Sequence, residues 1–362
     1  MFKNKSVSLF LLVLLFAVSG CSSTTARESV NDIKAVKTDN EAVKSYQVPD
    51  KYSERPITVL RSPSDFKPAP SDKVVAGDEN IRVILYAKEF AQGNAGYFEA
   101  DREDGKNCEI LRVTYAGENI PFTCTEWGCR GFFAIHPEAK PGKTFFTLTY
   151  SDGNNEKKIS VAVKIKDVKY PVSRYLLDLG KFSDKEYLSR PEFKKLIKES
   201  AAARKKAFSI VSEDSITNAL SHPRDMHKVT GDYWKKRIYA AYKKKGKKKV
   251  KVRGHVSYHR GLDLKGDVGA PVYSMADGKI VIAMKMFYEG NMVAVDHGNQ
   301  VFTYYMHMDS MSVKVGDIVR AGDIIGSVGS TGTSTGPHLH VALSIRGVHV
   351  HPLSLLSLPV SR

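Results

Sequence analysis

Gly336-Pro337-His338-Leu339-His340 runs straight into Val341-Ala342-Leu343-Ser344-Ile345, and this stretch decides how the C-terminal third of the chain is read. The run from Leu339 is apolar and follows a Gly- and Pro-containing loop, which predicts a strand fed by a loop. Side chains two apart on a strand share a face. His338 and His340 therefore present two imidazoles on one surface, close enough to serve one site. A lone His-x-His also has a plainer reading as two half-exposed surface residues, so partner groups have to be found elsewhere.

The nearest candidates are in His259-Arg260-Gly261-Leu262-Asp263. Four positions along a straight strand span about 13 Å, too far for one ion. A helix would bring His259 and Asp263 together, but Gly261 and the strand-like flanks oppose a helix. A turn at Gly261 would fold His259 back beside a strand that Asp263 begins. One Asp and two His form a three-ligand set with one coordination position open, the stoichiometry of catalytic rather than structural zinc. Eight of the eleven histidines lie between His255 and His351, the region holding both motifs.

A third motif, Tyr305-Met306-His307, falls between these two. Gly269-Ala270-Pro271-Val272, Ala276-Asp277-Gly278, Asp296-His297-Gly298, Val315-Gly316-Asp317 and Gly322 fill the intervals. In this order, over roughly Tyr233 to Pro352, the chain resembles the lysostaphin/LytM-type zinc metallopeptidases of bacterial cell walls. The resemblance implies one Zn2+ held by His259, Asp263 and His340. It makes His307 and His338 the catalytic pair, one taking a proton from water and the other stabilising the developing oxyanion. The implied activity is a zinc-dependent endopeptidase cutting stem or cross-link peptide bonds of peptidoglycan. The alternative is a non-catalytic LytM-type regulator of cell-wall amidases. Such proteins have lost ligands, whereas this set is complete. The family's Phe-Gly-x-Arg-like stretch before the first ligand is replaced here by Tyr242 to Val250. That insert carries Lys243, Lys244, Lys245, Lys247, Lys248 and Lys249. It reads either as a solvated hairpin tip or as a contact for an anionic envelope polymer.

The N-terminus sets the compartment. Lys3 and Lys5 precede an apolar run from Val7 to Val18, too short for a mature membrane span and suited to a signal peptide. The run ends in Val18-Ser19-Gly20-Cys21, which resembles a bacterial lipobox with Cys21 as the lipidated residue. Acylation there would anchor the chain to a membrane. By the same resemblance, Ser22 points to an outer membrane, the protein facing the periplasm. The formal charge of +16, or +14 without Lys3 and Lys5, then suggests association with anionic envelope material and no nucleic acid. Of Cys108, Cys124 and Cys129, two are expected to form a disulfide in an oxidising compartment, with the pairing left open.

The fold class expected is mainly β, in successive segments. Residues 1–20 are a lipoprotein signal peptide. Residues 21–72, rich in Ser, Thr, Lys, Asp and Pro, are a disordered tether. Residues 73–167 show short alternating strands with Gly and Asn turns, a β-sandwich that looks like an immunoglobulin-like module. Residues 168–230 are a helical connector, with Ser189 and Glu192 spaced as a capping box and Pro191 in the first turn. Residues 231–353 are the antiparallel LytM-type peptidase domain. His297 reads as structural, His255 as a loop residue, and His349 and His351 as lying at the domain's end. Ala283-Met284-Lys285-Met286 resembles a biotin-attachment sequence, but Ile282 stands where such sequences carry Glu.

Overall fold

The structure, a computed structural model, describes residues 58–59, 66–103, 108–126, 128–216, 220–245 and 248–360. The signal segment, Cys21, most of the tether and Lys247 lie outside the described residues.

Seven main strands build the first half: β1 (Asp72–Gly77), β2 (Ile81–Ala87), β3 (Ala95–Arg102), β4 (Glu109–Tyr115), β5 (Gly128–Ala134), β6 (Gly142–Ser151) and β7 (Glu156–Ile165). They form two antiparallel sheets, β1-β2-β3-β5 and β7-β6-β4, each with one further short strand at its edge. The period-2 pattern explains the packing. Ile81, Val83 and Leu85 of β2 face Val161 and Val163 of β7 across one core that also holds Phe98, Phe146 and Leu148. Alternate residues of β3 and β5 point the other way. Ala95, Tyr97 and Phe132 join the core of the C-terminal half, so this sheet is covered on both faces. Cys124 and Cys129 are direct cross-strand partners and form the disulfide, leaving Cys108 free and buried.

The connector holds β8 (Val172–Leu177), two short helical turns (Gly180–Ser183 and Lys185–Leu188) and α1 (Pro191–Phe208). Pro191 opens α1 as expected, but the capping box is not made. Arg190 is the N-cap, with no side-chain cap bond, and the Ser189 hydroxyl donates instead to the Glu186 carbonyl at the end of the preceding turn. Ala203, Ala207 and Phe208 lie against Ile282, Met286, Phe302 and Tyr304.

The C-terminal half begins with a long antiparallel ribbon, β9 (Lys236–Lys245) and β10 (Lys248–Tyr258). β8 pairs with β9 in parallel, whereas the other named strands pair antiparallel among the described residues. His255 sits in β10 rather than in a loop, because the ribbon extends to Tyr258, and its ring stacks on Tyr239 at 4.5 Å. The main sheet contains β11 (Leu262–Lys265), β12 (Gly278–Met286), β13 (Gly290–Asp296), β14 (Val301–Met308), β15 (His338–Ile345) and β16 (Val348–Val350). Their order is β11-β15-β14-β13-β12, with β16 also paired to β15. Lys285 of the biotin-like stretch is paired opposite Asn291 inside this sheet. His297 is fully buried between the Asp277 carbonyl at 2.7 Å and Thr303 Oγ1 at 2.8 Å, the structural role expected of it.

Histidines away from the candidate ligands are also held neutral, His222 and His351 among them. Burial pushes His222 and His351 down to about 4. Both are charged in the unfolded chain below about pH 6.5 but resist protonation in the fold. Their stabilising effect is therefore complete above pH 6.5 and is lost as the pH falls toward 4. Each such group contributes a slope of about 1.4 kcal/mol per pH unit in that window. Urea unfolding is expected to show a free energy several kcal/mol lower at pH 5 than at pH 7, with a shallower dependence after His222→Gln. A flat profile between these pH values would contradict the assignment.

Candidate metal centre

β11 and β15 are antiparallel neighbours in a register that sets Asp263 directly opposite His340. Such partners share a face, with Cβ atoms about 4.5–5.5 Å apart. Asp263 Oδ1 lies 2.9 Å from His340 Nδ1. His259 arrives from the end of β10, where the chain leaves the ribbon and bends at Gly261 into the main sheet. Its Nε2 is 2.9 Å from His340 Nδ1 and 3.0 Å from Asp263 Oδ1. The bend needs glycine for space: a Cβ at 261 would lie 2.4 Å from His340 Nε2 and 2.5 Å from the Val341 carbonyl oxygen. The turn at Gly261 expected from the sequence is thus present.

His307 reaches the site by a different device. Met306, not His307, stands opposite His340, so a regular β14 would turn His307 to the other face. His307 instead has φ +63, its N–H bonds to the Glu289 carbonyl at 2.8 Å, and the β13–β14 register shifts here. This local break re-aims the ring, as bulges do. Its centroid lies 5.0 Å from that of His338 and 6.0 Å from that of His340. His338 Nε2 is 3.6 Å from Asp263 Oδ1. All five residues named from the sequence are therefore brought together.

Hydrogen bonds fix the tautomers. His259 Nδ1–H donates to the Asp232 carbonyl, His307 Nδ1–H to that of Thr331 and His338 Nδ1–H to that of Gly336, at 2.8, 2.8 and 2.7 Å. Each then turns a lone pair on Nε2 toward the site. Burial pushes His307 down to about 3, reinforced by His340 and His338, and pushes His340 down to about 4. Burial alone would raise the Asp263 carboxyl, but the His259 and His340 imidazoles packed against it outweigh that and hold the group well below its ordinary range.

The donor set fits a metal ion. His259 Nε2, His340 Nδ1 and Asp263 Oδ1 are neutral imidazole nitrogens and a carboxylate oxygen, the protonation states a ligand requires. They converge with sides of 2.9–3.0 Å. Tetrahedral zinc with bonds of about 2.0–2.2 Å spaces its ligands by about 3.3 Å, so slight opening of the triangle accommodates it. Among the described residues, this is the one group of three or more such side chains close enough to hold an ion.

Arg237 was not singled out in the sequence. It lies at the base of β9 and its Nη2 bonds Asp263 Oδ2 at 2.7 Å, occupying the oxygen that the histidines leave free. Inside a run of basic residues it carried no distinguishing signal. It also places an arginine beside the ligands where the departure at Tyr242 to Val250 had left one missing. A groove of about 600 Å³ crosses the centre. The ribbon base lines it with Lys235 and Tyr239, the β12–β13 turn with Tyr288 and Glu289, and the connector with Ser173 and Leu177.

Residues 257–352 match the model of peptidase family M23, a family of metallopeptidases. The lysostaphin/LytM-type resemblance is thereby borne out for this domain. Peptidoglycan DD-endopeptidase ShyB of Vibrio cholerae is 39% identical over 116 residues, covering 32% of this chain and 27% of the relative. Peptidoglycan DD-endopeptidase ShyA of the same organism is 41% identical over 102 residues, covering 28% and 24%. The chain spans less than a third of the length of these curated relatives. A solved chain from Pseudomonas aeruginosa, described as peptidase M23, aligns over 74% of this chain and 94% of its own. Its TM-score of 0.50 at 22% identity is a likeness of fold.

Partners that hold a ligand's second atom tune metal affinity by about 10–100-fold. Arg237→Ala is expected to weaken metal retention within that range while leaving the fold intact. Competition against a chromogenic chelator measures it, and unchanged affinity would show that the ion pair does not orient Asp263.

Proposed function

We propose that this chain is a zinc-dependent endopeptidase that hydrolyses stem or cross-link peptide bonds of peptidoglycan. The observation that carries the reading is the convergence of His259, Asp263 and His340 with two further histidines whose Nε2 lone pairs face the same groove. His259, Asp263 and His340 would hold the ion. Bound zinc supplies an activated water and polarises the scissile carbonyl.

The chain's own residues supply the rest. His307 and His338 stand on one side of the ligand triangle, each tied by Nδ1 to a backbone carbonyl. That tie holds the ring in place and leaves Nε2 to accept a proton. Once protonated, the same nitrogen donates to an oxyanion or a leaving amine. Arg237 holds Asp263 in orientation through its second oxygen. The groove of about 600 Å³ that crosses the centre is where a peptide would lie.

The relatives' description as peptidoglycan DD-endopeptidases supports wall peptide as the substrate. The lipobox at Cys21 supports lipid anchoring in the bacterial envelope, in an outer membrane facing the periplasm. The lysines of the ribbon tip favour association with an anionic envelope polymer: from Tyr233 to Leu262 the sequence has no Asp or Glu.

His307→Ala and His338→Ala are each expected to retain zinc while losing about 10²–10⁴-fold in activity, the usual range for a general acid–base group. Asp263→Ala should lose both. Purified sacculi incubated with the zinc-loaded chain, followed by mass spectrometry of released muropeptides, measures this. Intact cross-links with zinc bound would defeat the proposal.

A further inference from the structure

The seam between the sandwich and the C-terminal half is close-packed over most of its extent. Ala95, Tyr97 and Phe132 interlock with Val350, Leu353 and Leu355. The Ala95 N–H donates to Ser354 Oγ at 2.9 Å, and the His351 N–H to the Gly93 carbonyl at 2.6 Å. Protein interiors packed this way leave few voids larger than a water molecule. One place departs from that rule. A cleft of about 440 Å³ opens where β4, β5 and β6 meet the turn between β15 and β16. That volume falls within the range of small-molecule sites.

Its lining divides by chemistry. Ala116, Ala139 and Val348 give it an apolar wall, floored by Tyr115, Phe133 and Ile165, which are nearly inaccessible to solvent. Lys140, Lys143 and Arg346 stand around it against a single carboxylate, Glu118. Glu118 is 77% exposed and 3.8 Å from Arg346, a distance that makes a weak pair. Within the wall, Tyr115 is only 7% exposed, yet its hydroxyl has no hydrogen-bond partner among the described residues. The hydroxyl oxygen itself is not among the buried polar atoms, so it is available to an occupant of the cleft.

Arg346 adds an independent observation. Ile345 pairs with Val348, so Arg346-Gly347 is a two-residue hairpin loop with φ +53 and +77. This turn type favours Asn-Gly, and a long side chain at its first position is disfavoured. The Arg346 N–H bonds to the Gln300 carbonyl at 3.0 Å, which holds this left-handed backbone in place. Here the side chain lines the cleft.

We infer that this cleft binds a small amphiphile with one anionic head and an apolar body. The cations and the Tyr115 hydroxyl meet the head, and the apolar wall takes the body. Because the lining comes from both halves of the molecule, an occupant bridges them. The site is remote from the groove residues, and the inference stands whether or not the metal centre is catalytic.

The test uses the full chain and anilinonaphthalene sulfonate, a fluorescent anionic amphiphile. Saturable binding near one per chain is expected, displaced by decanoate or decyl phosphate and not by decyltrimethylammonium. The more effective of the two competitors distinguishes a carboxylate from a phosphate head. Arg346→Asn suits the turn better than arginine, so it should leave the melting temperature equal or raised while weakening binding at least fivefold. Tyr115→Phe should weaken it about threefold. No saturable binding, equal displacement by the cationic competitor, or unchanged affinity in Arg346→Asn would each overturn the inference.

Discussion

Asp263 faces His340 across one pair of antiparallel strands, and every other feature of the centre is arranged around that register. A slip by one residue would carry Asp263 to the opposite face. What prevents the slip is apolar. Leu262 and Leu264 alternate with Asp263 on β11, and Leu339 and Val341 flank His340 on β15. All four are at most 2% exposed, and they are cross-strand partners of one another. Burial of each is worth roughly 1.5–3 kcal/mol. A slipped register would turn these side chains away from the core, at a cost far beyond what three converging polar groups could offset. The hydrophobic face thus fixes the metal face.

The remaining residues are brought in by breaks in regular structure, each compensated nearby. His259 depends on a bend that only glycine fits, because His340 and the Val341 carbonyl occupy the space of a Cβ. His307 adopts a left-handed backbone that costs on the order of 1–3 kcal/mol. Its hydrogen bonds to the Glu289 and Thr331 carbonyls hold the conformation. The second of these, from the ring, also selects the tautomer, so the strained backbone and the ring's chemical readiness are fixed side by side.

These two kinds of positioning explain what could be read from sequence. His338 and His340 are two apart on a strand, and period-2 geometry alone placed them together. Asp263 and His259 needed the turn at Gly261, which the glycine signalled. His307 followed only from the resemblance, because strand alternation would have sent it to the wrong face. Arg237 was illegible: it is one cation in a basic run, and only the docking of the ribbon against the main sheet singles it out. The capping box at Ser189 failed for a related reason. The motif was present, but the preceding turn, which no local pattern announced, had already engaged the hydroxyl. The two-sheet layout of residues 72–165 was legible because strands such as β2 and β7 bury alternate residues, although β3 and β5 are buried on both faces.

The ion pair between Arg237 and Asp263 also extends the centre beyond its own sheet. Arg237 belongs to β9, which is held on one side by β10 and on the other by β8 of the connector, through Val172 opposite Lys236 and Leu176 opposite Ile238. Connector residues Ser173 and Leu177 line the groove from that same strand. A displacement of β8 would therefore act twice, once on the wall that a peptide meets and once, through β9, on the arginine that orients a metal ligand. The ribbon's charge makes this coupling sharper. With no acidic residue between Tyr233 and Leu262, Arg237 has no carboxylate within its own ribbon to compete for it. The guanidinium is left to Asp263, and this half-buried ion pair ties the metal face to the ribbon.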